Sequence, residues 1–134
     1  MNALIGDIGN TTTKVCLIDI HSFAFKKIVY FNSNKILSKK FLINKLNKTF
    51  KKSKIHKFAL FSSVVPKFES EVKKVLKKYY KIQLIEIKKK KINKIIKVNI
   101  KNKKQVGSDR IANAAGVFKK YKSNCIVLDF GTAT

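Results

Sequence analysis

The sequence predicts an α/β fold with a mixed sheet, and three observations lead to this prediction. The N-terminal part holds three short stretches of apolar and β-branched residues separated by turn-length gaps, which is typical of an antiparallel meander. The part that follows alternates helical spacing of apolar residues with compact apolar runs, which indicates parallel crossovers. The chain has 134 residues, of which 45% are hydrophobic, so it can bury one real core.

Two strands joined by a tight turn open the chain. Asn2 to Asp7 is a short apolar stretch, and a Gly-Asn-Thr turn follows it. Thr13 to Ile20 alternates apolar and polar residues, so we expect it to return antiparallel to the first strand. Ser22 to Phe31 continues with aromatic and β-branched residues, which predicts a third antiparallel strand.

Helices and strands then alternate. Lys35 to Phe50 and Lys67 to Tyr80 place apolar residues at helical spacing with lysines between them, which predicts two amphipathic helices. Between them, Lys57 to Ser62 is a compact apolar run, the pattern of a strand with both faces covered. Gln83 to Ile87 predicts another short strand, and Gly107 to Tyr121 predicts a third helix.

Two further segments complete the predicted order. Lys88 to Lys104 is basic, and its isoleucines fit either a bent strand or a packed loop, so both alternatives stay open. Cys125 to Asp129 predicts a buried strand, which we assign to the start of a second domain. We therefore expect a first domain over residues 1–121 and a truncated second domain beginning over residues 122–134.

The charge of the chain comes almost entirely from lysine. The formal net charge is +24, with thirty lysines and a single arginine, Arg110. Proteins that recognise nucleic acids rely on the planar fork of arginine, and the lysines here are spread along the whole chain. We therefore attribute the lysine excess to coding bias and expect no specific nucleic-acid partner. Non-specific, salt-sensitive binding to anionic polymers is still expected.

Nothing in the sequence predicts export or a membrane span. The chain opens MNALIGDIGN, without a basic segment before a long apolar run, and no uninterrupted apolar run approaches about 18 residues. Cys16 and Cys125 both lie in apolar, strand-like segments, which predicts buried, reduced thiols. We expect a cytoplasmic protein without a membrane partner.

One motif occurs twice, about one domain apart. ALIGDIGNTTT, ending at Thr13, and CIVLDFGTAT, ending at Thr134, each join an apolar strand, an Asp-x-Gly turn and hydroxyl-bearing residues. Glycine lets the backbone approach an anion closely, and backbone N–H groups with threonine hydroxyls can donate to phosphate oxygens. Asp7 and Asp129, at the strand ends, fit a cation that bridges to the phosphates. A single turn of this kind is common, so the repetition carries the prediction of an ATP phosphate site.

A third motif, Val106 to Arg110, begins the last predicted helix and has two open interpretations. In the structural one, Ser108 or Asp109 caps the helix and Arg110 is solvated. In the functional one, Asp109 accepts the proton of a hydroxyl that attacks phosphorus, and Arg110 binds an anionic group of the substrate. Arg110 is the only arginine of a lysine-rich chain, which favours the functional interpretation.

Together these motifs resemble the type III pantothenate kinase family. The resemblance is carried, in the family's order, by DIGNT from Asp7, SSVVP from Ser62, VGSDRIANA from Val106 and DFGTAT from Asp129. It implies a ribonuclease-H-like fold of the actin-like ATPase kind, with two such domains around a nucleotide cleft. It also implies ATP-dependent phosphorylation of pantothenate to 4'-phosphopantothenate, the first step of coenzyme A synthesis. It further implies a cytoplasmic homodimer that requires magnesium and a monovalent cation, potassium or ammonium.

The resemblance implies roles for individual residues. The ATP-binding residues would be Asp7, Ile8, Gly9, Asn10, Thr11, Thr12, Thr13, Lys14 and Thr132. Pantothenate would contact Gly107, Ser108, Asp109 and Arg110, with Asp109 as the catalytic proton acceptor. Asp129 would bind the monovalent cation, and Asp7 would bind magnesium directly or through water. Ser62 to Pro66 would shape the sheet edge near the cleft.

The chain departs from the family's pattern at two places. Ile100 stands where the family usually has a tyrosine that contacts pantothenate, and Asn102-Lys103 replaces the usual Asn-Pro. The resemblance spans the whole chain but only about the first half of a typical member. We therefore expect little or no kinase activity from these residues alone. The alternative is a non-catalytic or decayed member that acts as a binding or regulatory module.

Overall fold

The fold is known from a computed structural model, which describes residues 1–50, 53–89, 96–102 and 105–129. The strands are β1 (Asn2–Ile8), β2 (Thr12–Asp19), β3 (Phe25–Asn32), β4 (Ile55–Ser63) and β5 (Gln83–Glu86). The helices are α1 (Lys39–Phe50), α2 (Pro66–Tyr80) and α3 (Ser108–Tyr121). The five strands form one sheet in the order β3-β2-β1-β4-β5. The pairs β1–β2 and β2–β3 are antiparallel, whereas β1–β4 and β4–β5 are parallel. The predicted α/β fold with a mixed sheet is confirmed, and it is consistent with an actin-like ATPase domain.

Strand β1 lies at the centre of the sheet and brings the predicted motifs together. Asp7 is opposite Lys14 of β2 on one side and opposite Ser62 of β4 on the other. Because β1 and β4 are parallel, their carboxyl ends meet at the same edge of the sheet, which is where α/β proteins commonly place ligands. The Asp-x-Gly turn after β1 and the Ser-Ser pair that ends β4 are therefore neighbours.

One face of the sheet packs against α1 and α2 and forms the core. Its fully buried side chains include Leu4, Ile8, Leu42, Leu46, Phe61 and Leu76. Gly6 lies between Leu4 and Ile8 on β1, and a Cβ atom there would overlap the ring of Phe61. The absence of a side chain at Gly6 thus makes room for the largest fully buried side chain of the core.

Two elements begin later than predicted, for local reasons. A short 3-10 helix (Ser33–Leu37) precedes α1, whereas the sequence predicted one helix from Lys35. The Asn32 side chain accepts a hydrogen bond from the Asn34 N–H at 3.0 Å, which caps the short helix. Strand β3 begins at Phe25 rather than Ser22, because the Asp19 carboxylate accepts hydrogen bonds from the backbone after it and closes a turn.

The predicted buried strand over Cys125 to Asp129 is wrong. This segment forms no strand, and Ile126 and Leu128 are 93% and 75% exposed. The apolar pattern fits a strand, but a strand requires a neighbour, and within the described ranges neither sheet edge, β3 or β5, pairs with this segment. The proposed domain division at residue 121 stays a prediction.

The two cysteines differ in their surroundings. Cys16 is buried, as predicted, and its burial raises the pKa of its thiol. The prediction of a buried thiol at Cys125 is wrong, because that residue is exposed. It lies in the segment that forms no strand, so no second layer covers it.

Part of the ambiguous basic segment is described. Residues 87–89 form a short 3-10 helix, and residues 96–102 form neither helix nor strand. Ile92, Ile95 and Lys103 lie outside the described residues. Of the helices in the described ranges, none combines the length and the apolar character that a bilayer crossing requires.

Candidate functional site

The turn between β1 and β2 is held in one shape by Ser33. The turn itself is closed by the Gly9 N–H, which donates to the Thr12 carbonyl at 3.1 Å. The Ser33 N–H donates to the Thr11 carbonyl at 2.8 Å, and the Ser33 hydroxyl donates to the Gly9 carbonyl at 2.7 Å. The Thr13 hydroxyl lies 2.8 Å from the Ser33 hydroxyl, and both side chains are fully buried. Because the Ser33 proton is used on Gly9, Thr13 is the donor in this pair.

The carboxylate of Asp7 is bound by β4. The Ser62 hydroxyl donates to Asp7 Oδ1 at 2.5 Å, a length typical of a hydroxyl bonded to a charged acceptor. The two residues are register partners in β1 and β4, so the bond crosses directly between the two strands. Ser62 is 4% exposed, so water has little access to compete for this bond.

The N-terminus of α3 is bound to the last residue of β4. Ser108 is fully buried, and its hydroxyl accepts from the Ser63 N–H at 2.7 Å and donates to the Ser63 carbonyl at 2.8 Å. Gly107 is the N-cap residue, with no side-chain capping bond. The Ser108 hydroxyl therefore joins the helix to the sheet and does not cap it. The predicted cap by Ser108 or Asp109 is therefore wrong, because the helix start has no side-chain capping bond and the Ser108 contact is to β4.

Asp109 lies in the first turn of α3 with its carboxylate turned back toward the helix start. Its Oδ1 accepts from the Arg110 N–H at 2.9 Å, a position where the helix dipole favours a negative charge. A Cβ atom on Gly107 would overlap Asp109 Oδ1. Glycine at position 107 thus leaves room for the carboxylate.

Three aspartates from three different motifs line one cleft. The cleft has a volume of about 620 Å³ and lies between α3 and the sheet face that α1 and α2 leave open. Asp7, Asp109 and Asp129 line it, together with Lys14. The chain has only seven acidic residues, so this cleft concentrates negative charge in a strongly basic protein. The apolar part of the wall includes Ile5, Ile28, Tyr30 and Leu60.

These three carboxylates form no ion pair with any described residue. The salt bridges of the described ranges join Asp19 to the N-terminal amine and Glu71 to Lys74. Even Lys14, which is opposite Asp7 in the sheet, does not come within ion-pair distance of it. The lysines in the described ranges therefore do not neutralise the negative charge of the cleft.

Asp129 and Arg110 meet at a second, smaller cleft beside the first. Asn113 of α3 donates to the Asp129 carboxylate at 3.2 Å. The smaller cleft has a volume of about 260 Å³ and is lined by Arg110, Asn113, Val127 and Asp129 among others. Arg110 is exposed and lines this cleft, whereas Asp109 lines the larger one. The consecutive residues Asp109 and Arg110 thus serve adjoining spaces.

The other predicted site residues lie at different depths. The side chains of Ile8 and Thr13 are fully buried, so a ligand could reach only their backbone. Asn10, Thr11 and Thr12 are exposed on the turn, and Gly9 is half-buried. Thr132 lies outside the described residues, as does all of the second predicted phosphate loop after Asp129.

The donors of the cleft suit a hard cation that keeps most of its water. Carboxylate oxygens are the ligands that Mg²⁺ prefers, and Mg²⁺ in phosphate-transfer sites usually takes one or two carboxylates, the phosphates and several waters. In the described part of the chain, no three histidine, cysteine, aspartate or glutamate side chains come close enough to hold a metal. The residues fit a hydrated ion completed by a ligand, and they do not form an all-protein cage.

Sequence reasoning missed Ser33 and the role of Ser62. Ser33 belongs to no motif and follows β3, and its contact with the turn depends on the pairing of Thr12 with Asn32 in the sheet. Ser62 was identified only as part of a motif that shapes the sheet edge. Its contact with Asp7 depends on the β1–β4 register. The one signal that could have found it is a hydroxyl residue at the end of a strand predicted to lie beside β1.

Several known proteins are similar to this chain. A family model described as type III pantothenate kinase matches residues 3–134. The chain is 45% identical over 136 residues to a type III pantothenate kinase of Pelagibacter ubique (strain HTCC1062), an alignment that covers 98% of this chain and 51% of that protein. It is 35% identical over 144 residues to a type III pantothenate kinase of Syntrophus aciditrophicus (strain SB), with 98% and 52% covered. The chain spans about half the length of these two relatives.

Proposed function

The chain belongs to the type III pantothenate kinase family, and on that basis we propose that it supplies one side of the site where ATP phosphorylates pantothenate. The observation that carries this proposal is the cleft lined by Asp7, Asp109 and Asp129. These aspartates come from the three motifs that would contact phosphate, acceptor and cation. The chain spans about half the length of these relatives, so catalysis of the whole reaction is itself part of what we propose.

The phosphates of ATP would bind at the turn from Gly9 to Thr12. The exposed side chains of Asn10, Thr11 and Thr12 can donate to phosphate oxygens, as can the backbone of the turn. Ser33 holds two carbonyls of this turn, so the donors would need little rearrangement when the nucleotide arrives. Thr13 would support the turn through Ser33.

Asp109 would act as the proton acceptor. The pantothenate hydroxyl oxygen forms a bond to the γ-phosphorus of ATP, the bond from that phosphorus to the β–γ bridging oxygen breaks, and ADP leaves. The hydroxyl proton passes to the Asp109 carboxylate. Arg110, beside this cleft, would bind the negatively charged end of the acceptor.

Asp7 would hold magnesium, directly or through water, and Asp129 would hold potassium or ammonium. Bound magnesium neutralises and orients the phosphates of ATP. Both assignments are supported by the lack of an ion pair between these carboxylates and any described residue. We also propose that residues 122–134 begin a second domain of the same kind, and that the assembled enzyme is a cytoplasmic homodimer, as the family resemblance implies.

The proposal is tested by supplying the other half of the site. This chain is fused to the C-terminal half of the Pelagibacter ubique relative, and ADP formation is measured with ATP, pantothenate, magnesium and potassium. We expect activity that requires pantothenate, and little from the unfused chain. Asp109→Asn should reduce kcat by about 10²- to 10⁴-fold, because a general base typically contributes that much.

The matched control is Asp19→Asn, the same change in a turn that takes no part in the cleft. It should leave kcat within about twofold of the unmutated fusion, because surface substitutions of this kind rarely disturb a distant site. No pantothenate-dependent ADP formation by the fusion would contradict the proposal. Binding of ATP and pantothenate by the fusion without turnover would instead favour the non-catalytic binding module.

A further inference from the structure

We propose that Ser62 is a positioning residue that orients the Asp7 carboxylate toward the magnesium ion of bound ATP. This inference rests on the proposed function, since it assigns Asp7 to that ion. From its sequence motif alone, Ser62 is expected only to shape the sheet edge. The structure links it directly to a carboxylate of the cleft.

The bond from Ser62 restricts how the Asp7 carboxylate can turn. The Ser62 hydroxyl donates to Oδ1 at 2.5 Å, and both residues line the larger cleft. No described residue donates to Oδ2, the oxygen that would face an ion or its water. A carboxylate fixed in this way loses less rotational freedom when it binds an ion than one that turns freely.

The charge around Asp7 also points to a cation ligand. Among the described acidic residues outside the cleft, Asp19 and Glu71 pair with cationic groups. Asp7 pairs with none in the described ranges, although Lys14 lies opposite it in β2. Its hydrogen-bond partner in the described part of the chain is the neutral Ser62 hydroxyl, which orients the carboxylate without cancelling its charge.

Ser62 and Ser63 act on different parts of the cleft. The side chain of Ser62 binds Asp7, whereas the backbone of Ser63 binds Ser108 at the start of α3. Loss of the Ser62 hydroxyl should therefore change ion binding and leave α3 in place. This separation distinguishes a positioning role from a general contribution to folding.

The test compares the affinity of this chain for ATP with and without magnesium, by isothermal titration calorimetry in Mg²⁺ or in EDTA. We expect the unmutated chain to bind ATP more tightly with Mg²⁺. Ser62→Ala should weaken binding in Mg²⁺ by about tenfold, since loss of a partner that orients a metal ligand typically costs 10- to 100-fold in metal affinity. The affinity of Ser62→Ala for ATP in EDTA should stay within about twofold of the unmutated chain. Ser62→Thr, which keeps the hydroxyl, should retain the gain in ATP affinity that Mg²⁺ gives, which we call the Mg²⁺ effect.

Ser38→Ala is the matched control. Ser38 accepts a hydrogen bond from the Phe41 N–H at the start of α1, so this change should lower stability by about 1 kcal/mol without altering the Mg²⁺ effect. Circular dichroism of each variant verifies that it folds. The inference is overturned if Ser62→Ala shows the same Mg²⁺ effect as the unmutated chain. It is also overturned if this variant loses ATP affinity equally in Mg²⁺ and in EDTA.

The remaining outcomes separate this inference from the proposed function. If the unmutated chain binds ATP equally with and without Mg²⁺, the role of Ser62 is overturned while the phosphate site stands. If it binds no ATP under either condition, the proposed ATP site on this chain fails, and the role of Ser62 fails with it. If Ser62→Ala reduces the gain in ATP affinity from Mg²⁺, Asp7→Asn should abolish that gain as well.

Discussion

The hydroxyl of Ser108 binds both backbone groups of Ser63, accepting from its N–H at 2.7 Å and donating to its carbonyl at 2.8 Å. One side chain thus satisfies a donor and an acceptor at the end of β4, where the ladder with β1 stops at Ile8 and Ser63. It also sets where α3 begins, and with it the position of Asp109. The acceptor side of the cleft depends on this contact.

Ser108→Ala should destabilise the protein by about 1–3 kcal/mol, because it leaves two partly buried backbone groups of Ser63 without their partner. The measurement is urea unfolding at neutral pH. In the fusion protein the same change should also lower kcat, since Asp109 would be less well placed. Ser123→Ala, at an exposed hydroxyl beyond α3, is the control and should change stability by less than about 0.5 kcal/mol. Equal stability of the two variants would contradict the prediction.

Gly6→Ala should destabilise the core by about 1–3 kcal/mol, because the new Cβ atom would overlap the Phe61 ring within the packed layer. Thermal and urea unfolding measure the effect. Gly116→Ala in α3 is the matched control, since a Cβ atom there has nothing within 4 Å. It should stabilise the helix by about 0.5–1 kcal/mol. The prediction fails if the two substitutions shift stability in the same direction.

Ser33→Ala should loosen the turn between β1 and β2, because both its hydroxyl contacts, to Gly9 and Thr13, are lost. The buried Thr13 hydroxyl would also lose its acceptor, so we expect a loss of about 1–3 kcal/mol. Hydrogen exchange of the Gly9 and Ser33 amides should become faster than that of amides in α2. ATP affinity in EDTA should fall too, which separates Ser33 from Ser62. Unchanged protection of the Gly9 amide would count against the prediction.

Ionisation of the Asp19 carboxyl should make the free energy of unfolding depend on pH in acidic solution. Hydrogen bonds from the backbone of Ser22 and of His21 lower the pKa of Asp19 from 3.8 to about 2. A carboxyl whose pKa is lowered by folding stabilises the protein above its unfolded pKa, and this stabilisation is lost as the pH falls through the folded pKa. The contribution is therefore present above about pH 4 and is lost between about pH 4 and pH 2.

Asp19→Asn should lower the unfolding temperature near neutral pH, where the ionised carboxylate contributes, and should flatten its fall within that window. A carbon-detected NMR titration of the Asp19 carboxyl measures its pKa directly. A measured value at or above the ordinary 3.8 would show that the turn does not bind the ionised carboxylate.

The sequence predicted what depends on local patterning and missed what depends on pairing. The helix α2 was predicted because Phe68, Val72, Val75 and Leu76 recur at helical spacing, and all four are buried. The apolar run after Cys125 carried an equally strong strand pattern, but whether it forms a strand depends on a partner elsewhere. Local sequence holds no information about that partner.

The candidate site shows the same difference between local motifs, which the sequence predicts, and long-range contacts, which it does not. The Asp-x-Gly turn and the Gly-Ser-Asp-Arg motif were recognisable because their residues are contiguous, and Asp7 and Asp109 do line one cleft. Ser33 and Ser62 could not be assigned, because their contacts span 24 and 55 residues of sequence. Arg110 and Asp109 are adjacent in sequence, yet the helix directs them to adjoining clefts.

The two serines that end β4 should accept very different sets of residues under selection. Position 62 contributes a hydroxyl, so a saturation library screened for magnesium-dependent ATP binding should retain serine and threonine there. Position 63 contributes its N–H and carbonyl to Ser108, and its hydroxyl bonds only the nearby Val65 backbone, so more residues should be retained there than at position 62, with proline excluded because it lacks the N–H. Neighbouring positions with the same residue type would thus differ in mutational tolerance.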